Sequence, residues 1–160
     1  MGRKSKEIVK ARIEDVITDL NKAYADEWLA HYQYWLTALW IRGMDADTLR
    51  ETLAQQSADE LTHAEKIGKR IIQLGGTPVM NPNKLLEVSG CGYKEPPTNP
   101  ANLKEVIQNV LEAEACAIET YSKLSEKYRT TDLVTHEIFE ELLEDEVEDE
   151  EEWEKLGANL

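Results

Sequence analysis

Two glutamates, Glu27 and Glu114, stand on apolar helical seams where leucine would ordinarily be buried. Each is followed two helical turns later by a tyrosine, Tyr34 and Tyr121. Each is followed again, on a second apolar seam, by an acid and another ligand-type residue one turn apart: Glu60-x-x-His63 in the first half, Glu146-x-x-Asp149 in the second. A carboxylate on a buried helix face is costly unless it is paired or bound to a cation. Residues at i and i+3 share a face, so Glu60 with His63, and Glu146 with Asp149, each offer two ligands inward. Glu27 and Glu114 add carboxylates able to bridge or chelate. One ligand pattern written twice points to a dinuclear metal site between helices. Carboxylates with imidazole suit iron or manganese, and the ligand types also admit zinc.

The elements that must position these groups are helices, because apolar residues recur with helical and not with strand periodicity. Four are expected, over about 6–42, 45–75, 99–129 and 131–157, within a single domain 1–160. Their seams run through Leu20, Glu27 and Tyr34; through Leu53, Glu60 and Ile67; through Ile107, Glu114 and Tyr121; and through Phe139, Glu146 and Trp153. Thr48-x-x-Glu51 reads as a capping box opening the second helix, and Asn99-Pro100 as the start of the third. Gly75-Gly76 reads as a helix stop. Residues 76–98 hold four of the five prolines and read as a long crossover. Short links within each half and one crossover between them define an all-α four-helix bundle of the one-crossover type.

The net charge of −14 disfavours nucleic acid and anionic lipid. Only the basic start, residues 2–6, opposes this, so DNA binding is expected to be weak at physiological salt. No apolar run reaches membrane-spanning length and no signal-peptide core follows the basic start, so a cytoplasmic protein is expected. Two cysteines, Cys91 and Cys116, are too few for a disulfide framework; read from chemistry alone they are either a redox pair or two buried inert thiols. His136 lies too far along its helix from Glu146 to be a ligand. His31, slightly off the seam, reads as a core residue or a neighbour of the ligands.

The combined motif resembles the ferritin superfamily, most nearly bacterioferritin and the Dps-like proteins called thioferritins. The segment Glu27-Trp-Leu-Ala30-His-Tyr-Gln33-Tyr34 is similar to a bacterioferritin helix, and Asp59-Glu60-Leu-Thr-His63 to its Glu-x-x-His helix. By matching position the resemblance implies Glu27, Glu60, His63, Glu114 and Glu146 as ligands of two iron ions per subunit. It implies His where this chain has Asp149, which still lies on the seam, unlike Glu150. It places Leu61 where a haem-binding methionine would stand, so no haem is expected. It implies a disulfide between Cys91 and Cys116 near the metals. Tyr34 matches a position close to the di-iron centre, as electron donor or neighbour of the ligands; Tyr121 is read as an ordinary core aromatic.

The activity this implies is Fe(II) oxidation by hydrogen peroxide or dioxygen, with iron storage in a hollow homo-oligomer and protection from oxidative stress. The absence of a fifth helix favours a dodecameric shell. A rubrerythrin-like peroxidase without storage is the rival enzyme, but two cysteines cannot build the four-cysteine iron site usual there. A non-enzymatic helical interaction protein is the other alternative.

Overall fold

Leucine, isoleucine and valine at three- and four-residue spacing give each long segment one apolar stripe, and burying four such stripes against one another makes a bundle. The computed structural model describes residues 3–160. A short helix α1 (Arg3–Glu7) precedes the long α2 (Ile13–Trp40) and α3 (Ala46–Leu74). A 3-10 turn (Pro82–Lys84) and the single-turn α4 (Leu85–Val88) lie in the crossover, and α5 (Leu103–Tyr128) and α6 (Leu133–Gly157) complete the bundle. The all-α, ferritin-like bundle is the fold class read from the sequence.

Contacts fix the directions. Tyr34 and Tyr121 reach Glu114 and Glu27 respectively, so α2 and α5 run antiparallel. Trp153 bonds Gln56 while Asp132 bonds Arg70, so α3 and α6 also run antiparallel. The crossover therefore returns the chain along the bundle, and α5 lies parallel to α3.

Two expected helix starts and one expected cap are corrected. The first long helix begins at Ile13 and not near residue 6, because residues 8–12 turn away after α1 and the Lys10 N–H donates to the Thr131 carbonyl (2.7 Å). Thr48 lies inside α3, whose N-cap is Asp45, and no capping box opens it. Asn99 caps a preceding turn, with its Oδ1 accepting from Ala101 N–H (3.1 Å), while Asn102 is the N-cap of α5. The stop at Gly75 is as expected. Gly75 is left-handed (φ 83°), and Gly76 N–H reaches back to the Ile71 carbonyl (2.9 Å).

The core divides in two. One apolar cluster, around Leu49, Leu53, Ile107 and Trp153, fills the end where α5 begins. Another, around Leu20, Ile67, Ile71 and Phe139, fills the opposite end. The second is braced by a buried ion pair: the Arg70 guanidinium donates to both oxygens of Asp132 (2.8 and 2.9 Å) and to Thr135 Oγ1 (3.0 Å). Asp132 is also the N-cap of α6. Between the two clusters lies a layer of acids.

Candidate metal centre

That layer is built from one turn of each long helix. Glu27, Glu60, Glu114 and Glu146 are all buried, the most exposed at 3%. Ligand atoms of Glu27, Glu60, His63 and Glu146 lie within 4.8 Å of one another, and so do those of Glu114, Glu146 and Asp149. All six residues singled out by spacing are thus brought together, in two groups sharing Glu146.

The geometry around His63 decides what the pocket can hold. His63 Nε2 donates to Asp145 Oδ2 (3.1 Å), which leaves the Nδ1 lone pair directed inward. Nδ1 faces Glu60 Oε2 at 3.4 Å and Glu27 Oε2 and Glu146 Oε1 at 3.5 Å each. Glu27 Oε2, both Glu146 oxygens and His63 Nδ1 have no hydrogen-bond partner. Acceptors converging on a common point repel one another unless a cation or a proton sits among them. Two divalent ions would offset the four buried glutamates and leave one of the five carboxylate charges, with His63 neutral, so these residues fit a dinuclear metal centre.

Without metal, protons take that place. Burial raises the pKa of all four glutamates above the ordinary carboxylate range. Neighbouring charge adds to it, from Glu27 on Glu60 and from Glu146 and Glu60 on Glu114. Burial and then the charge of Glu146 push Asp149 up to about 7. His63 is lowered by burial but raised further by Glu146, Glu27 and Glu60, so its net direction is upward.

The sign of the pH dependence follows. Groups whose pKa is raised by folding bind more protons folded than unfolded, so metal-free stability is greatest at low pH and falls as these groups ionise. For Asp149 that loss runs from about pH 4 up through about 7. Metal requires the ionised ligands, so its binding strengthens over the same range. The melting temperatures of metal-free and metal-loaded protein should therefore diverge between about pH 5 and about pH 7.5. Parallel thermal melts across that range check it; a constant gap would mean the acids are not metal ligands.

Several residues around the ligands were not anticipated. Tyr121 is not an ordinary core aromatic: its hydroxyl donates to Glu27 Oε1, as Tyr34 donates to Glu114 Oε1 (2.5 Å). Each tyrosine bonds the glutamate of the other half, and the matched Glu-to-Tyr spacing in the two halves was the signal for it. Asp145, beside Glu146, orients His63, and no spacing rule marks it. Asp26 is buried on the crossover side, where its Oδ1 accepts from the Gly90 and Cys91 N–H groups (2.9 Å each) and from the Ser89 hydroxyl. That cradle holds Cys91 where it forms a disulfide with Cys116, Cα to Cα 5.8 Å. His31 bonds Ser57 and His136 bonds Ser125, and neither is among the clustered ligands.

A helical bundle with paired carboxylate helices and a convergent acid–imidazole pocket defines the class, and residues 17–160 match the ferritin-like domain family, to which this chain belongs. Its likeness runs to the Dps and bacterioferritin-related branches. A bacterioferritin-related protein from Bacteroides fragilis, described as a dodecameric thioferritin, is 30% identical with a TM-score of 0.93, covering 99% of this chain and 94% of that one. The bacterioferritin of Desulfovibrio desulfuricans, solved with a di-iron site, is 25% identical with a TM-score of 0.76, covering 99% of this chain and 84% of that one. A Pyrococcus furiosus protein called DNA protection during starvation protein is 24% identical over 112 residues, 70% of this chain. The match spans 60% of that relative's own length. Among the described residues no helix is long and apolar enough to cross a membrane.

Proposed function

We propose that this chain oxidises Fe(II) at the bundle's acid layer and stores the Fe(III) in a hollow shell of identical subunits. The carrying observation is the convergence of unpartnered Glu27, Glu146 and His63 atoms on one point. Membership of the ferritin-like family adds to it. Two Fe(II) ions are the substrates, held by Glu27, Glu60, His63, Glu114, Glu146 and Asp149. Each gives one electron, and hydrogen peroxide takes both with two protons and leaves as water. Dioxygen is the alternative acceptor, and manganese or zinc would compete for the same ligands.

The protein's residues do the rest. Asp145 fixes the imidazole, and Tyr34 and Tyr121 hold Glu114 and Glu27 in place. The tyrosine hydroxyls also sit one hydrogen bond from the ligands, where Tyr34 can give a third electron, its proton passing to Glu114, when dioxygen is the acceptor and takes more than the Fe(II) pair supplies. Removal of Fe(II) together with peroxide gives protection from oxidative stress.

A shell is supported by the dodecameric Bacteroides fragilis relative and by the outer face of α2. There Tyr32, Trp35 and Leu39 are about half-exposed or more along one stripe, an apolar face that a lone subunit leaves in water. The −14 charge favours iron over DNA as cargo, in contrast with the name of the Pyrococcus relative. We place the protein in the cytoplasm.

Anaerobic Fe(II) titration followed by peroxide, reading absorbance and particle mass together, tests the proposal. Two Fe(II) oxidised rapidly per subunit, then mineral growth inside a particle of constant size, is the expected result. Oxidation without retained iron would favour a peroxidase without storage.

A further inference from the structure

Two side chains of one α2 face fasten the crossover over the acid layer. Asp26 Oδ1 accepts from the Ser89 hydroxyl and from the Gly90 and Cys91 N–H groups, and Gln33 Oε1 accepts from the Lys94 N–H (2.9 Å). The Cys91–Cys116 disulfide ties the same strap to α5. Beneath it lies a cavity of about 50 Å³, lined by Glu27, Glu60, Glu114 and Glu146 together with Asp26 and Gln33. Small side chains leave that space open: Ala30 of α2, and Ala113 and Ala117 of α5. Lys94 and Glu112, each about half-exposed, pair with one another where the cavity nears the surface.

Each fastening residue uses only one of its polar atoms on the strap. Asp26 Oδ2 and Gln33 Nε2 are buried with no hydrogen-bond partner in the protein, on side chains of residues 8% and 5% exposed. A buried donor or acceptor left unpaired is costly, so both favour a small polar guest. Asp26, Ala30 and Gln33 stand at i, i+4 and i+7, which puts acceptor, methyl and donor in one row. The guest that row describes is small and carries an O–H at one end and a lone pair at the other. One water takes about 30 Å³ of the liquid, so the space suits a molecule of two heavy atoms and excludes anything much larger. Dioxygen fits the volume but has no hydrogen to give Asp26. A cation would suit Asp26 but meets an N–H₂ donor at Gln33.

Resting on the Fe(II) oxidation reading above, we propose that this cavity is a binding site for hydrogen peroxide. Gln33 Nε2 donates to one peroxide oxygen, and the O–H of the other donates to Asp26 Oδ2. The bound molecule is held beside the four glutamates by two residues that are not metal ligands. Asp26 and Gln33 thereby set the preference for peroxide over dioxygen, and the strap they fasten limits the site to molecules of that size.

Stopped-flow oxidation of a fixed Fe(II) load, at rising concentrations of peroxide or of dioxygen, gives a half-saturating concentration for each oxidant. Gln33→Leu removes the donor; Asp26→Asn keeps Oδ1 for the strap and puts an N–H₂ in place of the acceptor. Each should raise half-saturating peroxide about 3- to 10-fold relative to dioxygen, the effect of one hydrogen bond, with the limiting rate changed less. Ala30→Val, which fills the cavity and touches neither polar group, should raise it at least as much. A second readout needs no turnover: calorimetric titration of the Zn(II)-loaded parent with hydrogen peroxide should show one saturable site per subunit, lost in Ala30→Val. Equal shifts for both oxidants would mean the substitutions merely loosen the strap, and would overturn the site. So would peroxide heats that survive Ala30→Val, or a parent that shows no saturable peroxide binding because the cavity takes water only. Failure of the parent to oxidise Fe(II) with either oxidant would instead overturn the proposed function itself.

Discussion

Glu60→Ala should abolish rapid Fe(II) oxidation and leave a helical, folded protein. Glu60 sits 3.4 Å from His63 Nδ1 and is grouped with Glu27 and Glu146, so its loss would remove a ligand from the proposed metal centre. The oxidation rate at low Fe(II) should fall by more than about 100-fold, since even partners one layer beyond the ligands are worth roughly 10- to 100-fold. The fold survives because the substitution deletes a buried charge and leaves no partner stranded. Glu60 is pushed well above its normal pKa by burial and by Glu27, so ionising it costs the metal-free chain stability. Glu60→Gln, which keeps the volume, should therefore melt at a higher temperature than the parent when both are metal-free at neutral pH. Stopped-flow absorbance and metal-free melts on the two variants check both signs. Undiminished oxidation in Glu60→Ala would remove Glu60 from the ligand set.

The second large effect lies two turns along α3, away from the ligands. Asp132→Ala should destabilise the chain by about 3–5 kcal/mol, the range for breaking a buried ion pair from one side. It leaves the Arg70 guanidinium uncompensated at 2% exposure and removes the N-cap of α6 at the same time. Thr135 also loses the acceptor for its hydroxyl (2.5 Å) and for its backbone N–H (3.2 Å). Chemical denaturation should show the loss as a shifted midpoint with an unchanged slope, while the Co(II) stoichiometry at low denaturant stays at the parent value. A cost below about 1 kcal/mol would place this pair with exposed surface bridges, which contribute little.

The long helices and the convergence of the acids were legible because both depend on local period. A seam that places Glu27, Glu60, Glu114 and Glu146 among leucines declares their burial without any knowledge of which helix faces which. What stayed hidden depends on that facing. The Asp145–His63, Arg70–Asp132 and Asp26–crossover bonds join residues far apart in the chain, and an acid beside a seam looks the same whether it orients an imidazole or meets water. Tyr121 is the instructive case: its spacing from Glu114 matches that of Tyr34 from Glu27, but its bond goes to the other half. Helix starts failed for a related reason. Thr48-x-x-Glu51 and Asn99-Pro100 have capping chemistry, yet packing began α3 earlier and α5 later.

The division of the core into two apolar clusters bears on where the chain is held together. In an ordinary bundle the helix midpoints are the best-protected part and order decays toward the ends. Here both ends are dry and close-packed, while the middle is a stratum of acids bonded between the halves through Tyr34, Tyr121 and the His63–Asp145 pair. Metal bound at the proposed centre would deliver its binding free energy at that midsection, so occupancy would change the cooperativity of the bundle more than its shape. Empty, the two ends are linked mainly by helix continuity; with metal bound between them they would unfold as one unit.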